Sequence, residues 1–573
     1  MAQQHTGTDI GWLRSPGGRF LTVEVALVLF LLLLTGLPSL FYPFGKDQGE
    51  YAYIAAAFLR GERIYEHVFN VKPPLTHLLH AAALLLFGRD MMAIRWWDWL
   101  WQGITALLLL AVARQWWGDK GMGWLAAALY AVFYFATDFW HSAQTDGFIN
   151  LPAAAAVYCF GRGWREWETR RRGARVSWLG VGLGLGAAVL LKYPIGILLP
   201  FLLGLLWISK GVERGRESFV DLLRASGLIL AGFALPWLIF IFWLTFRGSL
   251  AAFWQIQSGY IPQYNAGFVP AEGYWAYSLT LFSHIWQISP HLRGFVYLWG
   301  AAAVGLIVTL VRWRMAATRP PFPLGLVILW LWGAAAFIHL VLQNKYYYYH
   351  FLPLLPVQAL IITYGVSQVA AWLRPLLVRL PLAGQRVAPY TLAAAVLFWL
   401  WLASASPYRH GNFLLRYQTV WQLVTGQRSL DEYQRGNDFG AYGWGVFSSR
   451  ANLELADYLR QHTNPDDKIF IWGFEPGIYF LSQRWSASRF IYNFPLFPQF
   501  GWDSYREQVV IELIAEPPAM ILVAQFDAQP NLTGTEDDSW TILQQFGPLY
   551  DFLQRDYQLE TTIAQFTLYR YQR

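Results

Sequence analysis

The residues of this chain whose types and spacing can do chemistry stand at the ends of apolar runs. Lys46-Asp47-Gln48-Gly49-Glu50-Tyr51 directly follows the first long apolar stretch. If this segment is helical, Asp47 and Glu50 fall at i and i+3 on one face. One can then serve as a base while the other orients a substrate or ligates a cation. A cap on a helix beginning near Gln48 accounts for Asp47 equally well. Lys72-Pro73-Pro74-Leu75 comes next. Its prolines fix the chain direction and hold Lys72 rigidly at an interface, where a point ammonium suits a lipid phosphate or pyrophosphate. Proline at a helix start is also tolerated for purely local reasons. Lys192, in Leu191-Lys192-Tyr193-Pro194, can join Lys72 on phosphate, although alone it reads as a snorkelling lysine.

A short polar stretch holds His141, Thr145 and Asp146. Asp146 fits a helix cap, but with Asp47 it also offers a second carboxylate as acceptor-binding group or metal ligand. His141 has no second histidine at metal-site spacing nearby and reads as an interfacial residue. The run Tyr346 to Tyr349 followed by His350 is explained first by an aromatic belt at a membrane surface. Substrate contact by Tyr349 and His350, through sugar stacking or lipid, is the other reading.

The elements that must position these residues are membrane spans. Of 573 residues 55% are hydrophobic and 14% charged, and the mean hydropathy is +0.30. Runs such as Val23 to Leu40 and Ala225 to Phe246 exclude a set of ordinary soluble domains and a disordered chain. The net charge of +7 is no nucleic-acid footprint, because up to Ser406 there are 30 Lys and Arg against 17 Asp and Glu, and beyond it 13 against 19. A basic membrane part with an acidic tail fits Arg-rich cytoplasmic loops. The single cysteine, Cys159, excludes an intrachain disulfide and a cysteine metal cluster.

Apolar runs predict spans near 21–42, 93–113, 121–138, 147–162, 177–191, 194–209, 225–245, 294–311, 322–342, 351–373 and 391–406, about 11 in all. Pro74 to Phe87 is apolar but only about 14 residues long, too short to cross a bilayer core, and is read as a helix lying at the membrane surface. That reading puts the arginines of the 162–175 loop inside with Arg312, Arg314, Arg319, Arg374, Arg379 and Arg386, as the positive-inside rule prefers. The N-terminus is then cytoplasmic and the C-terminal tail extracytoplasmic. In the tail, Lys468 to Trp472, Phe490 to Tyr492 and Met520 to Ala524 read as short buried strands, with helical patterns at 450–462, 503–515 and 540–554. They predict a small α/β domain. No internal repeat and no Gly-rich phosphate loop is evident.

Taken in order, these residues resemble a family: the bacterial protein-mannosyltransferase-like, or dolichyl-phosphate-mannose-type, glycosyltransferases of the GT-C fold, including the aminoarabinose transferases that modify lipid A. The resemblance rests on Asp47 after the first span with Glu50-Tyr51-Ala52 behind it, and on Lys72-Pro73-Pro74-Leu75. Thr145-Asp146, Leu191-Lys192-Tyr193-Pro194-Ile195-Gly196 and Tyr349-His350-Phe351-Leu352-Pro353 continue it, and the tail's Ile471-Trp472-Gly473-Phe474-Glu475-Pro476-Gly477 resembles external domains of bacterial members. It implies an α-helical polytopic membrane protein of the cell membrane: a GT-C-like catalytic domain over 1–406, with its first external loop at 43–92, and an extracytoplasmic α/β domain over 407–573.

The resemblance also implies a polyprenyl-phosphate sugar donor and a saccharide, lipid or protein acceptor, with transfer outside the membrane and inversion at the anomeric carbon. Asp47 would be the base, Asp146 and Glu50 its supports, and Lys72 and Lys192 the holders of the donor phosphate. Where many members carry two adjacent acids, this chain has Asp47 followed by Gln48, leaving Glu50 as the substitute. Thr145-Asp146-Gly147 lacks the second acid of metal-binding oligosaccharyltransferase relatives, so the residues assign no metal ligand set, and a divalent cation is an open cofactor. The alternatives are a transporter or flippase of a lipid-linked saccharide, which predicts midplane charges and repeated halves, and a non-catalytic membrane scaffold.

Overall fold

The computed structural model describes residues 16–117, 123–169, 173–210, 216–266, 324–343, 345–377, 413–436, 438–439, 447–498 and 503–572, with a few single positions between 276 and 315. Two expected spans, 294–311 (apart from Val311) and 391–406, lie outside the described residues, as do Arg312, Arg314, Arg319, Arg379 and Arg386.

The chain begins with α1 (Pro16–Gly36), then α2 (Lys46–Arg60), α3 (Pro74–Phe87), α4 (Met91–Trp117) and α5 (Gly123–Phe135). A single helical turn, α6 (Thr145–Phe148), precedes α7 (Asn150–Glu168), α8 (Ala174–Leu191), α9 (Leu198–Lys210) and α10 (Arg216–Arg247). Further on come α11 (Leu324–Gln343) and α12 (Leu355–Leu377). Among the described residues, five helical segments are long and apolar enough to cross a membrane: Val23–Phe41, Ala174–Leu191, Phe219–Arg247, Leu324–Gln343 and Tyr348–Ser367. The protein is a multi-pass membrane protein.

Helices α8 and α10 cross at small residues, where a Cβ on Gly182 would stand 2.0 Å from the Ile229 carbonyl oxygen. Glycines there let the two backbones meet, as membrane helix pairs do when no hydrophobic gradient drives them together. The short helix α3 does not continue α4: the two are bent by 109°. The break falls at Gly88, whose φ of 89° and N–H to the Leu84 carbonyl (3.0 Å) close α3 in a conformation side chains rarely adopt. Leu85, Leu86 and Phe87 at its end remain exposed.

The tail forms a five-stranded sheet, β1 to β5 in chain order: β1 (Lys468–Trp472), β2 (Trp485–Ser486), β3 (Met520–Ala524), β4 (Tyr557–Ile563) and β5 (Phe566–Tyr571). The spatial order is β2-β1-β3-β5-β4, with β1 parallel to β2 and β3, and β5 antiparallel to β3 and β4. Every residue of β3 is buried, which suits a central strand covered on both faces. The helices α13 (Ser449–His462), α14 (Gly477–Ser482) and α15 (Asp503–Ala515) flank it.

The tail domain differs from expectation at four places. Phe490 to Tyr492 is no strand: its rings pack on Phe69, Phe474 and Tyr505 while its backbone joins no ladder. The pattern at 540–554 splits into Ser539–Gln544 and Gly547–Asp556, because Pro548 has no N–H to continue the first helix. The hairpin β4–β5 and the short strand β2 form where no strand is expected from the sequence.

Candidate functional site

Helix α2 starts two residues earlier than expected, at Lys46, with Gly45 as its N-cap. Asp47 therefore does not cap it. The cap interaction runs through Gln48, whose Oε1 accepts from the Gly45 N–H at 3.0 Å. Gln48 is fully buried, and its Nε2 donates to the carbonyls of Trp140 (2.9 Å), Ser142 (2.7 Å) and Phe139 (3.3 Å). Arg95 of α4 adds Nη1 to Ser142 Oγ at 2.8 Å and Nη2 to the Phe139 carbonyl at 2.9 Å, and also reaches the Pro43 carbonyl. Together Gln48 and Arg95 fix the start of α2 against the 138–146 loop.

Asp47 and Glu50 emerge from α2 in different environments. Asp47 is half-buried, and its Oδ2 accepts from Gln144 Nε2 at 3.2 Å. Glu50 is buried and accepts from Asn70 Nδ2. Burial first, and then the neighbouring Asp47 charge, push the Glu50 carboxyl up to about 8, against the opposing pull of Lys72. Two carboxylates three residues apart thus differ in kind: Glu50 retains its proton at neutral pH, and Asp47 faces the open side. Asn70 also holds the other component, since its Oδ1 accepts from the Lys72 backbone N–H at 2.8 Å while Tyr65 Oη donates to the Lys72 carbonyl at 2.9 Å.

Asp146 is no helix cap either. Its Oδ2 receives Lys192 Nζ at 2.5 Å, and its Oδ1 lies 3.1 Å from both His339 Nε2 and Gln343 Nε2. His339 and Gln343 stand at i and i+4 on α11, which puts both on one face. Burial alone would raise the Asp146 carboxyl, but the Lys192 ammonium and the His339 hydrogen bond outweigh it and hold the group well below the usual carboxylate range. Lys192 is only 14% exposed, and its Nζ stands 5.8 Å from the Tyr349 ring centroid. Tyr349 and His350 meet edge to face at 4.6 Å, and Tyr349 also packs on His141. His141 itself bonds Asp138 Oδ1 through Nδ1 at 2.6 Å.

A third lysine, which the sequence reading missed, completes the cluster. Lys345 contacts Tyr264 Oη and lies 4.2 Å from that ring's centroid. Burial, then the charges of Lys72 and Lys192, hold its ammonium well below the ordinary lysine range, opposed by Asp47. Lys345 and Lys192 therefore both lie within electrostatic reach of Lys72 and Asp47, which come from separate segments of the chain. Such an arrangement suits an anion carrying more than one negative charge beside a group able to accept a proton. Among the described residues no group of three or more His, Cys, Asp and Glu side chains gathers as a metal set.

Known proteins resemble this chain in sequence and in fold. Residues 71–240 match the family model of dolichyl-phosphate-mannose-protein mannosyltransferase. The chain is similar to the undecaprenyl phosphate-alpha-4-amino-4-deoxy-L-arabinose arabinosyl transferase 2 of Pseudomonas fluorescens Pf-5, at 28% identity over 38% of this chain and 37% of that protein. The enzyme of the same name from Sodalis glossinidius is 26% identical over 34% of this chain and 35% of that protein. The matched stretch thus spans about a third of the length of these curated relatives. The crystal structure of ArnT from Cupriavidus metallidurans bound to undecaprenyl phosphate aligns over 97% of this chain and 98% of that chain, with a TM-score of 0.54 at 15% identity. The chain has the fold of that GT-C protein, including the small α/β domain near its C-terminus.

Proposed function

We propose that the chain is a membrane glycosyltransferase that moves a sugar from a polyprenyl-phosphate donor to an acceptor hydroxyl on the extracytoplasmic face, with the N-terminus cytoplasmic and the tail domain outside. The observation that carries this reading is the Lys192–Asp146 ion pair at 2.5 Å, joined to Asp47 by way of Gln144, with Lys345 feeling the charges of Lys72, Lys192 and Asp47. The relatives' names give the donor lipid as undecaprenyl phosphate and the sugar as an aminopentose, and we assign this chain the same donor class.

In this reading Lys72 holds the donor phosphate, and Lys345, whose charge is disfavoured by burial, joins it once the phosphate's negative charge offsets that burial. Lys192 adds its remaining N–H bonds while its pairing with Asp146 fixes its position. Asp47 takes the proton of the acceptor hydroxyl. That oxygen attacks the anomeric carbon as the bond from this carbon to the phosphate oxygen breaks. The sugar passes through an oxocarbenium-like state, and the polyprenyl phosphate leaves with the bonding electron pair. A phosphate leaving group needs positive charge rather than a proton donor, which the lysines supply. Because the carboxylate acts on the acceptor and not on the sugar carbon, the single displacement inverts the anomeric centre. Protonated Glu50 spares Asp47 a second negative neighbour, and Tyr349 and His350 border the sugar.

The test is transfer by purified full-length protein in lipid nanodiscs supplied with undecaprenyl-phosphate-linked aminopentose and a glycolipid acceptor bearing free sugar hydroxyls. The expected result is release of undecaprenyl phosphate matched by glycosylated acceptor. Donor carried across vesicle membranes without cleavage would replace this reading with a flippase.

A further inference from the structure

Helix α2 presents two faces to two partners. Asp47 and Glu50 turn toward the lysines, whereas Lys46, Gly49 and Tyr53, at i, i+3 and i+7, turn toward the tail domain. Lys46 Nζ meets Glu475 Oε1 at 3.2 Å, with both side chains almost fully buried. Glu475 Oε2 accepts from Asn452 Nδ2 of α13 at 2.9 Å. Three residues along, Gly49 meets Gly477 backbone to backbone: a Cβ on Gly49 would stand 2.6 Å from Gly477 Cα, too close for any side chain. A turn further, Tyr53 Oη accepts from the Ser486 N–H at 2.9 Å, and its ring packs on Tyr479 with centroids 5.0 Å apart.

The domain also grips the loop that carries Lys72. Phe69 N–H donates to the Arg489 carbonyl at 2.8 Å, and Arg489 Nη2 reaches the Tyr65 carbonyl at 2.5 Å. The Tyr492 ring packs on Phe69, next to the Asn70 that bonds Glu50. The residues 473–477 that make the main contacts form the turn leaving the C-terminal end of β1, a rigid element of the sheet.

We propose that Glu475 and Gly477 are positioning residues for the Asp47/Glu50 pair, the tail domain serving as a clamp that sets where α2 begins relative to the lysines. This rests on the glycosyltransferase reading above. Neither residue touches the reacting atoms. A buried ion pair at the first helical residue and a glycine contact one turn later fix both the translation and the rotation of α2. A rotation of α2 by a fraction of a turn would carry Asp47 away from the acceptor side while leaving the phosphate site built.

The experiment uses the full-length protein in nanodiscs, with variants Glu475→Gln and Gly477→Ala, and reads amide hydrogen exchange together with steady-state transfer kinetics. The expected exchange result is that amides of Lys46 to Tyr51 exchange about tenfold faster or more, while those of β1 and β3 keep their protection, as for a local opening. The kinetic expectation is that kcat falls about 10- to 100-fold with donor KM unchanged, the signature of a misplaced reacting group. Should E475Q fail to fold because Lys46 is left buried without its partner, the neutral double variant K46M/E475Q takes its place with the same expected readouts. Unchanged protection of α2 in these variants would overturn the clamp. Faster exchange with unchanged kcat would overturn the positioning role. A wild-type protein without transfer activity would sink the glycosyltransferase reading instead, and the exchange measurement would still decide whether the domain clamps α2.

Discussion

The side-chain amide of Gln48 donates to the carbonyl oxygen of Ser142 at 2.7 Å, tying the helix that carries Asp47 to the loop that leads to Asp146. The same nitrogen serves Trp140 and Phe139, so this position requires a donor. A second acid here, as many members of the resembled family carry, would face three carbonyl oxygens with lone pairs. Gln48→Glu is expected to cost about 1–3 kcal/mol or more from unsatisfied buried groups. Thermal unfolding should show a lower Tm with turnover reduced. An unchanged Tm would mean that the contact does not hold the two segments together.

Lys72 and Lys192 should behave differently although the proposed mechanism gives both to the donor phosphate. Lys72 is half-exposed, and Asn70 and Tyr65 hold its backbone rather than its ammonium. Lys72→Ala is therefore expected to leave the fold intact and weaken donor binding by about 10- to 100-fold, the range of one charged hydrogen bond. Lys192→Ala removes the 2.5 Å partner of buried Asp146. That leaves the buried carboxylate without its cation, held only by His339 and Gln343, and should destabilise the protein by about 3–5 kcal/mol. Equal Tm values for the two variants would break this distinction.

Glu50 gives a pH dependence of defined sign. Burial and Asp47 raise its carboxyl from the ordinary 4.5 to about 8 in the folded protein. Between those values the folded chain keeps a proton that the unfolded chain has lost, so stability from this group is full below about pH 4.5 and declines as the pH rises toward 8. Glu50→Gln mimics the protonated form. Its Tm should fall less steeply between pH 5 and pH 8 than that of the wild type, by about one proton's worth of slope. Identical slopes in the two proteins would show that Glu50 is already ionised.

What the sequence revealed of this site follows from local geometry. Asp47 and Glu50 share a helix, so their spacing alone predicted a shared face, and the proline pair marked Lys72 as fixed. What it concealed arrives from far along the chain. Asn70 reaches Glu50, but an asparagine in a loop carries no sign of its partner. Lys345 was hidden beside an aromatic run that an interface explains. His339 could have been found, because an ionisable residue inside an apolar span is costly and needs a partner; that partner is Asp146. In the tail, the continuous apolar strands β1 and β3 were legible, whereas β4 at the sheet edge carries Gln558, Glu560 and Thr561 with no clear alternation. Gly49 and Gly477 each read as ordinary glycines, and only their meeting gives them meaning.

Asp47→Asn separates the possible roles of the central carboxylate. The substitution keeps shape and leaves Gln144 a hydrogen-bonding partner, since the asparagine oxygen accepts from its Nε2 as the carboxylate does. The cap of α2 is made by Gly45 and Gln48, so losing the Asp47 charge costs the helix only a favourable term at its positive end, about 0.3–1 kcal/mol. Folding and donor binding should therefore survive. If Asp47 is the base, turnover falls by about 100-fold or more, because an amide cannot take the proton of the acceptor hydroxyl. Replacing Asp146 by Asn should act otherwise, removing the charge that pairs with Lys192 and loosening the phosphate site, so that donor KM rises. Near-normal turnover by a well-folded D47N protein would remove Asp47 as the base, and the proton would have to be taken by another group within reach of the lysines.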